Sequence, residues 1–162
     1  MKPLALLALF LLAPAAVRAQ PPSDAPEEEV RAAVVALFDA MRASDSSAVR
    51  AHFHPKAHLY SVTTTPAGER VVAESPIDRF VAVVGGEHPT FDERIGPIDV
   101  RVDGDLATAW MAYAFYLGGE FSHCGVNAFQ LARTDDGWKA IHITDTRRTD
   151  RCDPSVVEGP GG

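Results

Sequence analysis

Basic charge is scarce in this chain. Its 15 lysines and arginines face 22 acidic residues, giving a formal net charge of −7 at pH 7. A surface of that sign repels phosphate backbones and anionic headgroups, so nucleic acid and membrane are excluded as partners. Cysteine is scarcer still, with only Cys124 and Cys152. Beyond the N-terminal stretch no apolar run approaches the roughly 20 residues that cross a bilayer. No glycine-rich phosphate loop, no G-x-S-x-G elbow and no cysteine-nucleophile arrangement occurs, which leaves those chemistries without support. Repeats and low-complexity blocks are absent as well.

What is present begins with a secretory signal. Lys2 precedes an unbroken apolar run over residues 4–13, and Val17-Arg18-Ala19 supplies small residues where a signal peptidase reads. Residues 1–19 are therefore expected to be a signal peptide cut after Ala19, and the protein to be secreted or periplasmic. Loss of Lys2 and Arg18 makes the mature protein more acidic still. Pro21-Pro22 lies in a flexible segment, 20–26. One domain follows over 27–150, and the Pro/Gly-containing stretch 151–162 reads as a flexible tail. Both cysteines lie in the exported part, where one disulfide is permitted.

The domain opens with helical periodicity. Ser23 or Asp24 can cap a helix whose first turn holds Glu27, Glu28 and Glu29, and Val30, Val34, Leu37, Phe38 and Met41 recur at helical spacing. Asp45 or Ser46 can cap a short second helix stopped by Pro55. A short strand is expected over 57–63 and a third helix over 75–84, ended by Gly85-Gly86. The period then changes. Residues 91–102, 105–117, 120–133 and 138–149 read as long strands separated by hairpin turn signals. Helices followed by an antiparallel meander describe an α+β domain with helices on one face of a curved sheet.

Register decides which side chains share a face. A three-residue loop in the last hairpin pairs Thr134 with Trp138, Leu131 with Ile141, Phe129 with Ile143 and Asn127 with Asp145. It sets Gly125 opposite Arg147 and Cys124 opposite Arg148. A Gly118-Gly119 loop in the preceding hairpin pairs Leu117 with Glu120, Tyr116 with Phe121, and Trp110 with Asn127. One face then carries Trp110, Tyr116, Phe129 and Ile143, with His123, Asn127, Asp145 and Arg147 toward one end. Met111, Tyr113 and Phe115 fall on the other face. Four residues separate Cys152 from Arg148, about 13 Å along a straight strand. A Cys124–Cys152 bridge thus requires Thr149-Asp150-Arg151 to fold back.

The segments "FHPKAHLYS" and "GVNAFQLARTDDGWKAIHITDTRR" resemble the nuclear transport factor 2-like (SnoaL-like) superfamily, and its exported, putative lumazine-binding branch in particular. The resemblance implies a cone-shaped α+β barrel, in which a bent antiparallel sheet wraps the N-terminal helices around an apolar cavity. It also implies a homodimer formed through the outer sheet surface. The family includes isomerases, dehydratases and hydrolases beside members without catalysis, so fold does not decide function.

Within such a cavity Asp145 is the candidate acid or base, Asn127 and His123 its candidate catalytic helpers, and Trp110, Tyr116, Phe129, Ile143 and Arg147 the candidate ligand contacts. Arg147, two residues along the strand, holds Asp145 ionised. His52, His54 and His58 do not form a metal-binding signature. The expected function is binding of a small hydrophobic molecule without catalysis, cofactor or metal. A cofactor-free lyase, isomerase or hydrolase using Asp145 is the alternative, and requires an open pocket with Asp145 buried. A structural dimerisation module is the third reading.

Overall fold

The computed structural model describes residues 25–153, 155 and 157. The expected signal peptide, and the Ser23 or Asp24 cap, lie outside the described residues. Helix α1 spans Ala25–Arg42, with Glu27 and Glu28 in its first turn and Arg42 in its last, each placed where the helix dipole favours its charge. Its buried stripe is Val30, Val34, Leu37, Phe38 and Met41, the periodic set of the sequence. Helix α2 (Ser46–Ala51) is capped by Asp45, whose carboxylate accepts from Ala48 N at 2.9 Å.

Strand β1 runs Phe53–Thr64, longer than expected, and pairs with β2 (Arg70–Ser75). The second strand was not expected. It is mostly exposed and has no apolar alternation to announce it. Helix α3 (Ile77–Val84) follows, with Pro76 as its N-cap. The long strand expected over 91–102 is two strands, β3 (Phe91–Ile95) and β4 (Asp99–Asp103), interrupted at Gly96-Pro97. A proline cannot donate to a ladder, and this one stands where the chain leaves one pairing and enters the next. Both pieces pair with β5 (Leu106–Leu117), which continues through β6 (Glu120–Thr134) to β7 (Gly137–Arg147).

The seven strands form one curved sheet in the order β2-β1-β7-β6-β5-β3, with β4 beside β5. The sheet is mixed and open, not a closed barrel or a pure antiparallel meander, because β1 runs parallel to β7. Helix α1 packs across β3, β4, β5 and β7. Val30, Val34, Leu37 and Phe38 meet Met111, Phe129, Leu131 and Ile143 there. Full burial of each such aliphatic or aromatic side chain contributes roughly 1.5–3 kcal/mol.

Two bulges correct the expected register. In the last hairpin Thr134 pairs with Gly137 and Leu131 with Ala140, so the turn is a two-residue one. A bulge at Ile141 then restores Phe129↔Ile143 and Asn127↔Asp145, as expected from the apolar pattern. In the β5–β6 hairpin Leu117↔Glu120 and Tyr116↔Phe121 hold, but an extra residue at Ser122 shifts everything beyond. Met111, not Trp110, stands opposite Asn127. Because side chains alternate, that single residue turns the rest of β5 over. Met111 and Tyr113 are buried, whereas Trp110 is 58% exposed on the outer face.

Cys124 and Cys152 form a disulfide, with Cα atoms 5.8 Å apart. The fold-back that it requires is made by residues 149–151, with Arg151 at φ 53°. Arg148 still bridges to Cys124 through two backbone hydrogen bonds.

Candidate functional site

Between the helices and the inner sheet face lies a cavity of about 580 Å³. Much of its wall is apolar, with Leu37, Phe38 and Met41 from α1, Phe80 from α3, and Phe129 with Ile143 from β6 and β7, while Ser61, Glu74, Ser75 and Arg79 add polar and charged groups on the β1–β2 and α3 side. The apolar positions belong to the alternating or helical apolar sets that build the core. A deficit of side-chain volume here leaves open space where a core would otherwise close.

The floor is polar. Glu93 on β3, Tyr113 on β5, His123 and Asn127 on β6, and Asp145 and Arg147 on β7 all line the cavity. Asp145 is 7% exposed and Asn127 4%, the only two polar residues in the described chain that are buried outright. Asp145 Oδ2 accepts from the Tyr113 hydroxyl at 3.2 Å and from Arg147 Nε and Nη2 at 3.3 and 3.1 Å. The Tyr113 hydroxyl also reaches Thr146 O at 3.0 Å. Asn127 Nδ2 donates to Glu93 Oε1 at 2.7 Å.

The electrostatics follow from burial. Glu93 is pushed up to about 7, chiefly by burial of its carboxyl; the Asn127 hydrogen bond opposes this, Asp145 adds to it, and Arg147 opposes. Burial, with Asp145 and Glu93 nearby, pushes the Tyr113 phenol far up, so it serves as a donor. His123 is lowered to about 4 by burial and then by Arg147, so its ring is neutral at pH 7. That ring stacks on Phe115 with centroids 4.9 Å apart. Burial works against the Arg147 charge, but Asp145 beside it prevails and the guanidinium is raised. The arrangement offers an acid near its midpoint at neutral pH, a carboxylate paired with a guanidinium, and fixed donors beside a largely apolar space. It can orient a polar group and exchange one proton with it.

Six of the expected site residues are thus brought together: His123, Asn127, Phe129, Ile143, Asp145 and Arg147. Two are not. Trp110 lies on the opposite face of the sheet, in a shallow groove with Arg101, Gln130 and His142. Tyr116 packs beneath the Arg94 guanidinium, 4.1 Å from its ring centroid, and against Phe121, away from the cavity lining. Conversely Tyr113 and Phe115, expected outside, line the cavity. The bulge at Ser122 accounts for the Trp110 and Tyr113 reversals.

Sequence reasoning missed Glu93 and Tyr113. Glu93 had a signal: Phe91 and Ile95 flank it at two residues either side, which puts an acid on an apolar face. Tyr113 had one too, since Ala107, Ala109, Met111 and Tyr113 form the more uniformly apolar parity of β5. Gly125 was also overlooked. A Cβ there would lie 1.8 Å from Thr146 O and 2.7 Å from Tyr113 Cε1. The three clustered histidines do not converge: His58 Nδ1 pairs with Glu74 at 2.9 Å, while His54 Nδ1 accepts from Lys56 N.

Residues 25–143 match the family described as "Putative lumazine-binding". Among solved structures the chain is similar to an NTF2-like protein with a cystatin-like fold from Novosphingobium aromaticivorans (18% identity, TM-score 0.58, 82% of this chain and 86% of that one). It is similar also to a nuclear transport factor 2-like superfamily protein from Salmonella enterica (13%, 0.61, 81% and 96%). A putative dehydratase of the NTF2-like family from Streptomyces avermitilis is a third (17%, 0.58, 77% and 97%). At these identities the likeness shows the fold alone. No curated protein matches the chain.

Proposed function

Since the chain belongs to the putative lumazine-binding family of nuclear transport factor 2-like domains, we propose that its cavity binds a small, largely apolar molecule with one polar end. The observation that carries this reading is the open space of about 580 Å³ with a largely apolar wall and a polar floor. Ligand sites have that composition, with a few convergent polar groups fixing orientation. The family description supports a small-molecule ligand. Native mass spectrometry of the protein isolated from its own host tests the proposal. A bound molecule of defined mass, lost when Ile143→Trp fills the cavity, is the expected result. Absence of any adduct, together with failure of naphthalene to bind, would overturn it.

One observation favours a second reading, acid–base chemistry on the bound molecule without a cofactor. Glu93 sits near its midpoint at neutral pH, beside the Asp145–Arg147 salt bridge. The open cavity and buried Asp145 meet the requirement for the enzyme alternative. Glu93, not Asp145, is then the group that moves the proton, because Arg147 occupies Asp145. Export completes the proposal. The N-terminal sequence supports it, as does the Cys124–Cys152 bond, since such bonds persist in oxidising compartments.

A further inference from the structure

His88 lies in the loop that joins α3 to β3, two elements that each supply part of the cavity wall. Phe80 and Val83 come from the helix and Phe91 from the strand. Both ring nitrogens of His88 face backbone carbonyls. Nε2 lies 2.7 Å from Val84 O, and Nδ1 lies 2.7 Å from Pro89 O. A carbonyl oxygen only accepts, and a neutral imidazole has a single N–H. Both contacts are therefore hydrogen bonds only when the ring is an imidazolium.

The surroundings favour that charge. Gly85 N and Gly86 N satisfy Val81 O and Val83 O at the end of α3. No basic residue stands in the last turn of the helix. His88 thus supplies the donor for Val84 O and also the cation that a helix C-terminus attracts. Its ring lies flat on Phe91, with centroids 3.8 Å apart and planes 15° from parallel, a cation–π contact when the ring is charged. Phe91 meets Phe115, a second wall residue, at 5.5 Å. Past His88 the chain is anchored, since Gly118 N donates to Thr90 O at 2.9 Å.

We infer that His88 is a proton-operated clasp between α3 and the β3 wall of the cavity, closed while both ring nitrogens carry protons and slack once one proton leaves. Loss of either proton sets a nitrogen lone pair against a carbonyl oxygen, so one of the two bonds opens. Phe80, Val83 and Phe91 are then held less firmly, and a bound molecule leaves faster. The inference rests on the proposed small-molecule cavity and adds a control of its exchange.

No neighbouring charge sets the state of this ring. The carbonyls of Pro89 and Val84 raise it above the ordinary histidine value of 6.5, and burial opposes them. A group raised in the folded state contributes fully below 6.5, and its contribution is lost as pH rises through the folded value. On the elements around it Asp78 pairs with Arg50, Asp92 pairs with Arg42 and Arg94, and Asn127 holds Glu93. Arg79 of α3 and Glu87 of the loop complete the charged set there, and β5 adds only Tyr113 and Tyr116.

Two measurements on the protein test the clasp. Nitrogen magnetic resonance of the His88 ring should show both nitrogens protonated at about pH 5.5, with a midpoint above 6.5. Across that titration, protection of the last-turn amides of α3 against hydrogen exchange should fall about fivefold, the yield of one hydrogen bond. The dissociation rate of naphthalene, read from ligand relaxation, should rise by a similar factor. His88→Phe keeps a ring on Phe91 and removes both donors, so it should hold both quantities at their high-pH values throughout. Glu93 also titrates near neutrality, so Glu93→Gln is the control, and the pH dependence should persist in it. A His88 midpoint at or below 6.5, a pH dependence that survives His88→Phe, or one that disappears in Glu93→Gln would each overturn the inference while leaving the cavity reading intact. Failure of naphthalene to bind at any pH would remove the cavity reading and the exchange control with it, while the ring titration and amide protection still decide the clasp.

Discussion

Tyr113 stands directly across the β5–β6 pair from Gly125, and the missing side chain at Gly125 is what lets its phenol reach Asp145 and Thr146. The cavity floor is built on this contact. A methyl group at position 125 would meet Thr146 O at 1.8 Å and the Tyr113 ring at 2.7 Å. One obstacle is backbone within the β6–β7 ladder and cannot rotate away. Gly125→Ala should therefore destabilise the fold by on the order of 3 kcal/mol, at the upper end for overpacking. Thermal unfolding checks this, and a melting temperature unchanged within about 2 °C would refute it. Tyr113→Phe removes only the hydroxyl and should cost about 1–2 kcal/mol.

Glu93 and His123 tilt the pH dependence of stability in opposite directions. Glu93 is raised in the folded state to about 7. Its contribution is fully present below its ordinary value near 4.5 and is lost as pH rises toward 7. His123 is lowered to about 4, so its contribution is present above 6.5 and lost as pH falls toward 4. The two slopes oppose each other between about 4.5 and 6.5, and the wild type should be nearly flat there. Glu93→Gln exposes the His123 slope: its stability should rise with pH across that window. The difference between wild type and variant should decline by on the order of 2 kcal/mol from pH 4.5 to 7, after allowance for the partial exposure of Glu93. Denaturant unfolding at a series of pH values measures it.

The Cys124–Cys152 bond closes a loop with a sequence separation of 28. On the chain-entropy estimate, its loss should cost about 3–4 kcal/mol. Alkylation without reductant should label neither cysteine, and reductant should lower the melting temperature. Labelling of both thiols in the exported protein would contradict the bond.

Trp110 leaves a large indole on the outer sheet face. Dimerisation through that face is an expectation from the family resemblance, and the residues that would mediate it are no longer Met111, Tyr113 and Phe115, which face inward. Light scattering at micromolar concentration should give a dimer mass, and Trp110→Lys should give a monomer with unchanged thermal stability. A monomeric wild type would end this reading.

How legible the molecule was depended on whether a pattern had to survive one inserted residue. Helix α1 was readable because its stripe repeats five times and tolerates error at any one position. Asn127, Phe129, Ile143 and Asp145 were placed together although the turn beside them was misjudged. The apolar preference of Phe129 and Ile143 imposed the pairing, and the bulge at Ile141 absorbed the difference. No such preference guarded β5. Both of its faces carry aromatics, so a shift at Ser122 inverted Trp110 and Tyr113 without leaving a polar residue in an obviously wrong place. Glu93 was lost because the break at Gly96-Pro97 was read through. Two short strands were taken for one long one, and the acid was not weighed against the apolar neighbours at positions 91 and 95.

Ile143→Trp separates an open cavity from a packed core. Ile143 is 5% exposed, and its side chain faces both the Phe129 wall and the cavity. In a close-packed interior, enlarging an aliphatic to an indole forces neighbours off their rotamers and typically costs about 1–3 kcal/mol or more. Here about 580 Å³ lies beside it, so the ring has somewhere to go. The expected cost is under about 1.5 kcal/mol, the range of tolerated hydrophobic swaps. The same substitution at Val34, which is 1% exposed on the buried stripe of α1 and does not line the cavity, should cost at least about 3 kcal/mol. Naphthalene binding should be lost in Ile143→Trp at unchanged fold, as judged by circular dichroism. Equal destabilisation at the two positions would mean that the space beside Ile143 is not available to a side chain, nor to a ligand of similar size.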